Sequence, residues 1–288
     1  MQFIQEACLT NLLFGSILMG PHHKPFGFTW DRLANHKPSF DTHYNYEDTQ
    51  LLLEMSFICT DSHAYGLPFN VPNWLTNHEL KYDVCPVELI SKGIPESGYN
   101  DPAPVVNVFY AEGSNLLFVV FVGTSNICMG ALDAAYHQTE LVGINHYIPG
   151  MKGHRGVYAI YNSIRDKLIR TLTPYLPRNP QIIITGHSLG GGVSQICALD
   201  LSEYDPIHYS FAAPMIFNGL GYEAFNRTVK YSYRIANGSD LITLAPLPVM
   251  PNKDVFYHVG QLVYFQRNFG DYPQNHTLAY VQEYGLVE

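Results

Sequence analysis

Ser188 stands between two glycines in Gly186-His187-Ser188-Leu189-Gly190, and the apolar run Gln181–Thr185 leads directly into it. A helical stretch, Gly191–Leu201, follows. A strand that turns sharply into a helix at a serine has the local geometry of a nucleophile elbow. In such a turn the backbone is strained, and the hydroxyl stands clear of it. Gly186 and Gly190 lack the Cβ atoms that would hold strand and helix apart. Free N–H groups and the dipole at the helix start favour an oxyanion, which makes the Leu189 N–H a candidate donor. A serine hydroxyl alone is a weak nucleophile, so this chemistry needs a histidine base oriented by a carboxylate.

In a strand–turn–helix of this kind the partners follow in the order serine, acid, histidine. The downstream acids are Asp200, Glu203, Asp205, Asp240, Asp254 and Asp271, and the histidines are His208, His258 and His276. Asp200 lies on the helix leaving the elbow and points away from its start, while Asp205 precedes a proline in a connection. Asp240 follows the run Tyr231–Ala236 through Asn237-Gly238-Ser239. It therefore sits at a strand end, where the catalytic groups of parallel sheets collect. Its other reading is a cap or turn residue after Asn-Gly. His258 lies inside the alternating run Val255–Phe265, whereas His276 sits on a loop ahead of a short helical stretch. Loop placement over the nucleophile favours His276 as base, with His258 the second candidate.

These residues need a scaffold. Val105–Ala111 and Leu116–Val122 read as a hairpin around Glu112-Gly113-Ser114-Asn115. The second run is apolar almost throughout, as in a strand buried on both faces. Val157, Ile160, Tyr161, Ile164, Leu168 and Leu172 form one stripe of a helix that Pro174 and Pro177 stop. Ile207–Phe211 and Tyr231–Ala236 read as strands with helical Tyr222–Val229 between them. The alternation predicts an α/β class, with a mostly parallel central sheet and helices on both faces. Residues 1–288 are expected to form a single domain, in which 1–104 is a loop-rich N-terminal region carrying a helix near 46–64.

Of the 288 residues 47% are hydrophobic and only 14% charged, so a large core is available and charge-driven disorder is excluded. The 21 Tyr and 16 Phe suit apolar ligands as well as a core. A net charge of -9 and 16 Lys+Arg without a basic run exclude a nucleic-acid partner. Cys8, Cys59, Cys85, Cys128 and Cys197 are odd in number and scattered, without CxxC or zinc spacing. His22-His23 lies in a Pro-rich loop and no HExxH pair occurs, so no metal is expected. Cys8–Gly20 has the apolar core of a signal peptide, but Glu6 precedes it rather than Lys or Arg. It is too short to span a bilayer, and a partly buried segment is the expected reading. No targeting signal is legible, so the location stays open, with the cytoplasm or non-classical secretion favoured, and no transmembrane segment is expected.

From about Tyr46 to the C-terminus the motifs resemble the class 3 lipase family, the group that includes the fungal triacylglycerol lipases. They are Gly186–Gly191 (GHSLGG), Phe121-Val122-Gly123-Thr124-Ser125, Gly153-His154-Arg155-Gly156, Ser210–Pro214, Tyr233–Ile242, Tyr257-His258-Val259-Gly260 and Asn275–Tyr280. The resemblance implies an α/β-hydrolase fold with a small lid, closed by Asp133, and a triad of Ser188, Asp240 and His276. It implies a second oxyanion donor in the Thr124 N–H beside that of Leu189, a structural His154 and a non-catalytic His258. Val122 departs from the frequent Arg, Asn126–Leu132 is a short lid containing Gly130, and Asn275 replaces a common Asp. The implied activity is cofactor-free hydrolysis of carboxylic esters, chiefly of lipids, with transient contact at a lipid interface. A catalytically silent lipid-binding protein of the same fold, or acyl transfer through the same site, is the alternative.

Overall fold

The computed structural model describes residues 24–35, 38, 40, 43–81, 104–123, 137–246 and 254–288. In chain order the elements used below are α1 (Tyr46–Tyr65), β1 (Leu75–Lys81), β2 (Pro104–Ala111), β3 (Leu116–Phe121), β4 (Gln138–Glu140) and β5 (Lys152–His154). Then come α2 (Arg155–Leu172), β6 (Gln181–His187), α3 (Leu189–Asp200), β7 (Ile207–Phe211), α4 (Gly219–Thr228), β8 (Tyr231–Asn237), β9 (Gln261–Phe265), α5 (Tyr272–His276) and α6 (Leu278–Glu283). A seven-stranded sheet runs β1-β2-β3-β6-β7-β8-β9, and β4 pairs with β5 separately. The pairs β1–β2 and β2–β3 are antiparallel, and every pair from β3 to β9 is parallel.

The hairpin between β2 and β3 closes through a short 3-10 turn, Glu112–Ser114, and Asn115 at φ 53. Asparagine tolerates this left-handed conformation better than most residues. All six residues of β3 are buried, because both faces of the sheet are covered. On one face Val106, Val108, Leu117, Val119, Ile182 and Ile184 pack with the α2 stripe Val157, Ile160, Ile164 and Leu168. On the other, Phe109, Phe118, Val120, Ile183 and Phe211 pack with Leu52 and Phe57 of α1 and Tyr280 of α6. Truncating one such fully buried side chain to alanine costs about 2–5 kcal/mol. Helix α1 is delimited by Asn45, whose side chain accepts from the Glu47 and Asp48 N–H groups, and by Gly66 at φ 62.

Two sequence expectations shift. The run Val255–Phe265 is not one strand: only Gln261–Phe265 joins the sheet, and Tyr257 makes an isolated bridge to Phe217. Gly260 breaks the run at φ 79, where a Cβ would stand 2.4 Å from Ser232 Oγ. His258 therefore lies outside a strand. His276 likewise is not on an open loop but ends the single turn α5, which Asp271 caps through the Gln274 N–H at 2.9 Å.

Buried polar groups tie the layers together. The Asp200 carboxylate, fully buried at the far end of α3, accepts from Arg165 Nε at 2.7 Å, the Tyr161 hydroxyl at 2.6 Å and the Asn145 N–H at 2.7 Å. His208 of β7 sits between Ser194 of α3 and Ser232 of β8. The Ser194 proton goes to the Gly191 carbonyl at 2.7 Å, so His208 Nε2 donates to Ser194 and Nδ1 accepts from Ser232. Burial pushes the His208 imidazole down to about 3 from its ordinary 6.5. Between those values the unfolded chain binds more protons, so stability falls as the pH falls. Going from pH 7 to 4.5 is expected to remove roughly 2–3 kcal/mol through this residue. Urea midpoints at the two pH values, for the wild type and His208→Gln, check this. The variant should lose less, and equal losses would contradict a neutral buried imidazole.

Candidate active site

The backbone of Ser188 forms the entire turn between β6 and α3, at φ 60 and ψ -126. A side chain at positive φ is strained, and here the neighbours hold it in place. The Ser188 N–H donates to the Phe211 carbonyl of β7 at 2.9 Å, and its own carbonyl accepts from the Gly192 N–H at 3.1 Å. A Cβ on Gly186 would lie 2.4 Å from the Gly190 carbonyl, and one on Gly190 would lie 2.4 Å from the Phe121 carbonyl oxygen. No side chain fits at either position.

Leu189 is the first residue of α3, so its N–H belongs to those without a carbonyl one turn behind. The end of β3 passes beside the serine: a Cβ on Gly123 would be 3.8 Å from Ser188 Cβ. The Gly123 N–H donates to Thr60 Oγ1 of α1 at 3.2 Å, and the Thr60 hydroxyl donates to the Ser56 carbonyl at 2.8 Å. Thr124, the second expected oxyanion donor, lies outside the described residues, as do Asn126–Leu132 and Asp133.

Asp240 leaves β8 into the 3-10 turn Leu241–Leu244 with its carboxylate fully buried. It serves both readings, since Oδ1 accepts from the Ile242 N–H at 3.0 Å while the carboxylate faces His276 Nδ1 at 2.9 and 3.0 Å. His276 Nε2 is 2.8 Å from Ser188 Oγ. The Tyr280 hydroxyl accepts from the Asn237 N–H at 3.0 Å, which directs its own proton to Asp240 Oδ2 at 2.9 Å. Burial, then the charge of Asp240, holds the Tyr280 phenol well above its usual range, so it remains a donor. With the carboxylate accepting throughout, His276 Nδ1 carries the ring proton and Nε2 presents its lone pair to the serine.

His276 is held from several sides. Asn237 Nδ2 donates to the Asn275 carbonyl at 2.9 Å, and Asn275 Oδ1 accepts from the Phe269 N–H at 2.8 Å. His187 Nε2 donates to the His276 carbonyl at 2.8 Å. The Tyr272 ring stacks on the imidazole at 5.6 Å and 16°. His258, by contrast, donates from Nε2 to the Thr243 carbonyl at 2.6 Å, and burial followed by the Arg234 charge pushes it down to about 4. It braces the turn after Asp240. Ser194 and His208 also touch at 3.0 Å, but the Ser194 proton is committed to a backbone carbonyl and His208 bonds to a second serine rather than a carboxylate. His154 caps α2, its Nδ1 accepting from the Val157 N–H at 3.4 Å.

Ser188, Asp240 and His276 thus stand in one hydrogen-bonded line at a helix start, able to lower the cost of removing the serine proton. Sequence reasoning missed Thr60, Tyr272 and the bond from Tyr280. Only Tyr280 left a signal, as the aromatic residue of the terminal motif. Among the described residues no group of three or more His, Cys, Asp or Glu is placed to hold a metal ion, and no helix is long and apolar enough to cross a membrane.

Comparison with known proteins places this arrangement. Residues 118–250, from β3 through the elbow and past Asp240, match the family described as lipase (class 3). The lipase of Rhizomucor miehei is 29% identical over 101 residues, 34% of this chain and 27% of that one. Triacylglycerol lipase OBL1 of Ricinus communis is 24% identical over 220 residues, 71% of this chain and 37% of that one. The matched stretches thus span well under half of these relatives. The crystal structure of the mono- and diacylglycerol lipase from Aspergillus oryzae superposes with a TM-score of 0.54 at 22% identity, covering 80% of this chain and 82% of that one. That likeness establishes the α/β-hydrolase fold. The elbow and the acid-bearing turn thus lie inside the stretch of the chain that is similar to the class 3 lipase family, with that fold around them.

Proposed function

We propose that this chain is a serine hydrolase that cleaves the carboxylic esters of lipids through an acyl-enzyme. The observation that carries the reading is the line from Ser188 Oγ through His276 to the buried Asp240 carboxylate, at 2.8 and 2.9 Å. In this scheme Ser188 attacks the ester carbonyl and His276 Nε2 takes its proton, while Asp240 stabilises the imidazolium. The N–H groups of Leu189 and Thr124 bind the tetrahedral oxyanion, each contributing about 3 kcal/mol. The alkoxide leaves with the proton from His276, and water activated by the same ring frees the acid. A lipid substrate is supported by the names of the relatives and by Leu241 and Leu244, which follow Asp240 and are 52% and 57% exposed. They put apolar surface beside the acid of the triad.

Hydrolysis of p-nitrophenyl esters of increasing chain length tests the proposal. Ser188→Ala is expected to lower kcat by at least ~10^4-fold on every active length. Equal turnover with and without the hydroxyl would sink the mechanism, and wild-type inactivity together with no labelling by a fluorophosphonate would favour a silent binding protein. Parallel assays on triacylglycerol and phospholipid vesicles separate lipase from phospholipase.

Tyr280→Phe removes one donor from the buried carboxylate while keeping the ring. Hydrogen bonds to charged groups are worth about 1.5–3 kcal/mol, so kcat should fall roughly 10- to 100-fold with KM little changed. Steady-state kinetics on the preferred ester reads this, and an unaltered kcat would show that Asp240 does not need the tyrosine.

A further inference from the structure

We infer that His187 is a positioning residue for the base, fixing the spacing between Ser188 and His276 by a bond from the elbow to the backbone of His276; the inference rests on the ester-hydrolase reading. His187 is the last residue of β6 and is covalently joined to Ser188. Its side chain is buried, and its Nε2 lies 2.8 Å from the His276 carbonyl oxygen, across 89 residues of sequence. A carbonyl only accepts, so Nε2 carries the proton of that bond. The ring is wedged 4.8 Å from Phe57 of α1 and 4.8 Å from the imidazole of His276, with Tyr280 edge-on at 5.8 Å.

Two features make this bond a device for spacing. First, α5 is a five-residue helix, too short to hold its last residue by its own hydrogen bonds. His276 depends on tethers from the sheet, namely Asn237 to the Asn275 carbonyl and His187 to its own carbonyl. Second, of these two only His187 adjoins the nucleophile. A shift of the elbow therefore carries the base with it, and the 2.8 Å Ser188–His276 contact is kept. Without the donor, a buried carbonyl loses its partner and the base is free to drift from its reacting position, which costs rate rather than substrate affinity.

The side chains of glutamine and asparagine separate the role of the donor from that of the ring. The glutamine amide nitrogen reaches about as far as the imidazole Nε2, whereas that of asparagine reaches only to the Nδ1 position. The full chain is compared with His187→Gln, His187→Asn and His187→Leu in kcat and KM on the preferred p-nitrophenyl ester. The low-field proton resonance of the His276 Nδ1–H and thermal midpoints are recorded alongside. His187→Asn and His187→Leu are expected to lose roughly tenfold or more in kcat, with KM held within about twofold, while His187→Gln stays within about threefold of wild type. The low-field resonance should persist in wild type and His187→Gln and broaden or move in His187→Leu. Wild-type kcat in His187→Leu, or losses in all three variants that follow the thermal midpoint alone, would overturn the role. A wild type without Ser188-dependent turnover would instead overturn the ester-hydrolase reading, and the proton resonance would still decide whether His187 holds His276.

Discussion

The arrangement turns on how closely the backbones of β6 and α3 approach at the elbow. A Cβ on Gly186 would overlap the carbonyl of Gly190, and a Cβ on Gly190 would overlap that of Phe121, in both cases at 2.4 Å. Because neither is present, the chain reverses within one residue and Ser188 takes a positive φ that a looser turn would not impose. The same approach brings the end of β3 against the helix start, so that Gly123 and the first N–H of α3 both lie near the serine. Strain at one residue is sustained by the buried strands on either side, which pair in parallel with β6 along its length.

Asp240 and His276 are held differently. Asp240 is fully buried and its charge is met by His276, the Ile242 N–H and the Tyr280 hydroxyl. A buried carboxylate without such donors would cost several kcal/mol. His276 comes from a short helical turn near the C-terminus, and its position is borrowed from the sheet through Asn237 and His187. Ser188 therefore rests on backbone geometry, while His276 rests on side-chain bonds.

Two other histidines show how environment separates roles among identical side chains. His208 and His258 are each held neutral, His208 by burial alone and His258 by burial followed by the Arg234 charge; His208 links the side chains of Ser194 and Ser232, and His258 braces the Thr243 carbonyl. Neither faces a carboxylate as His276 does. The Ser194–His208 contact has the composition of half a triad, yet Ser194 spends its proton on the Gly191 carbonyl. Residue type and proximity are insufficient; which proton is free decides the chemistry.

By itself the sequence determined what is encoded locally. The apolar run Gln181–Thr185 followed by glycine-flanked Ser188 marks a strand, turn and helix, and the α2 stripe marks a buried helical face, because periodicity records which side of an element meets the core. The placement of Asp240 at a strand end was legible for the same reason, whereas His276 was favoured for a loop placement that the structure replaces with a helical turn, and by the family resemblance. The run holding His258 was misread as one strand, since alternation alone does not reveal that Gly260 must pass against Ser232. What only the tertiary structure decided are contacts between distant segments: Thr60 supporting Gly123, Tyr280 donating to Asp240, and His187 reaching the backbone of His276. Those pairs are 63, 40 and 89 residues apart, and no local pattern specifies them. They form because the sheet order brings the ends of β3, β6 and β8 together beneath α1 and the C-terminal turns, where buried polar atoms must find partners.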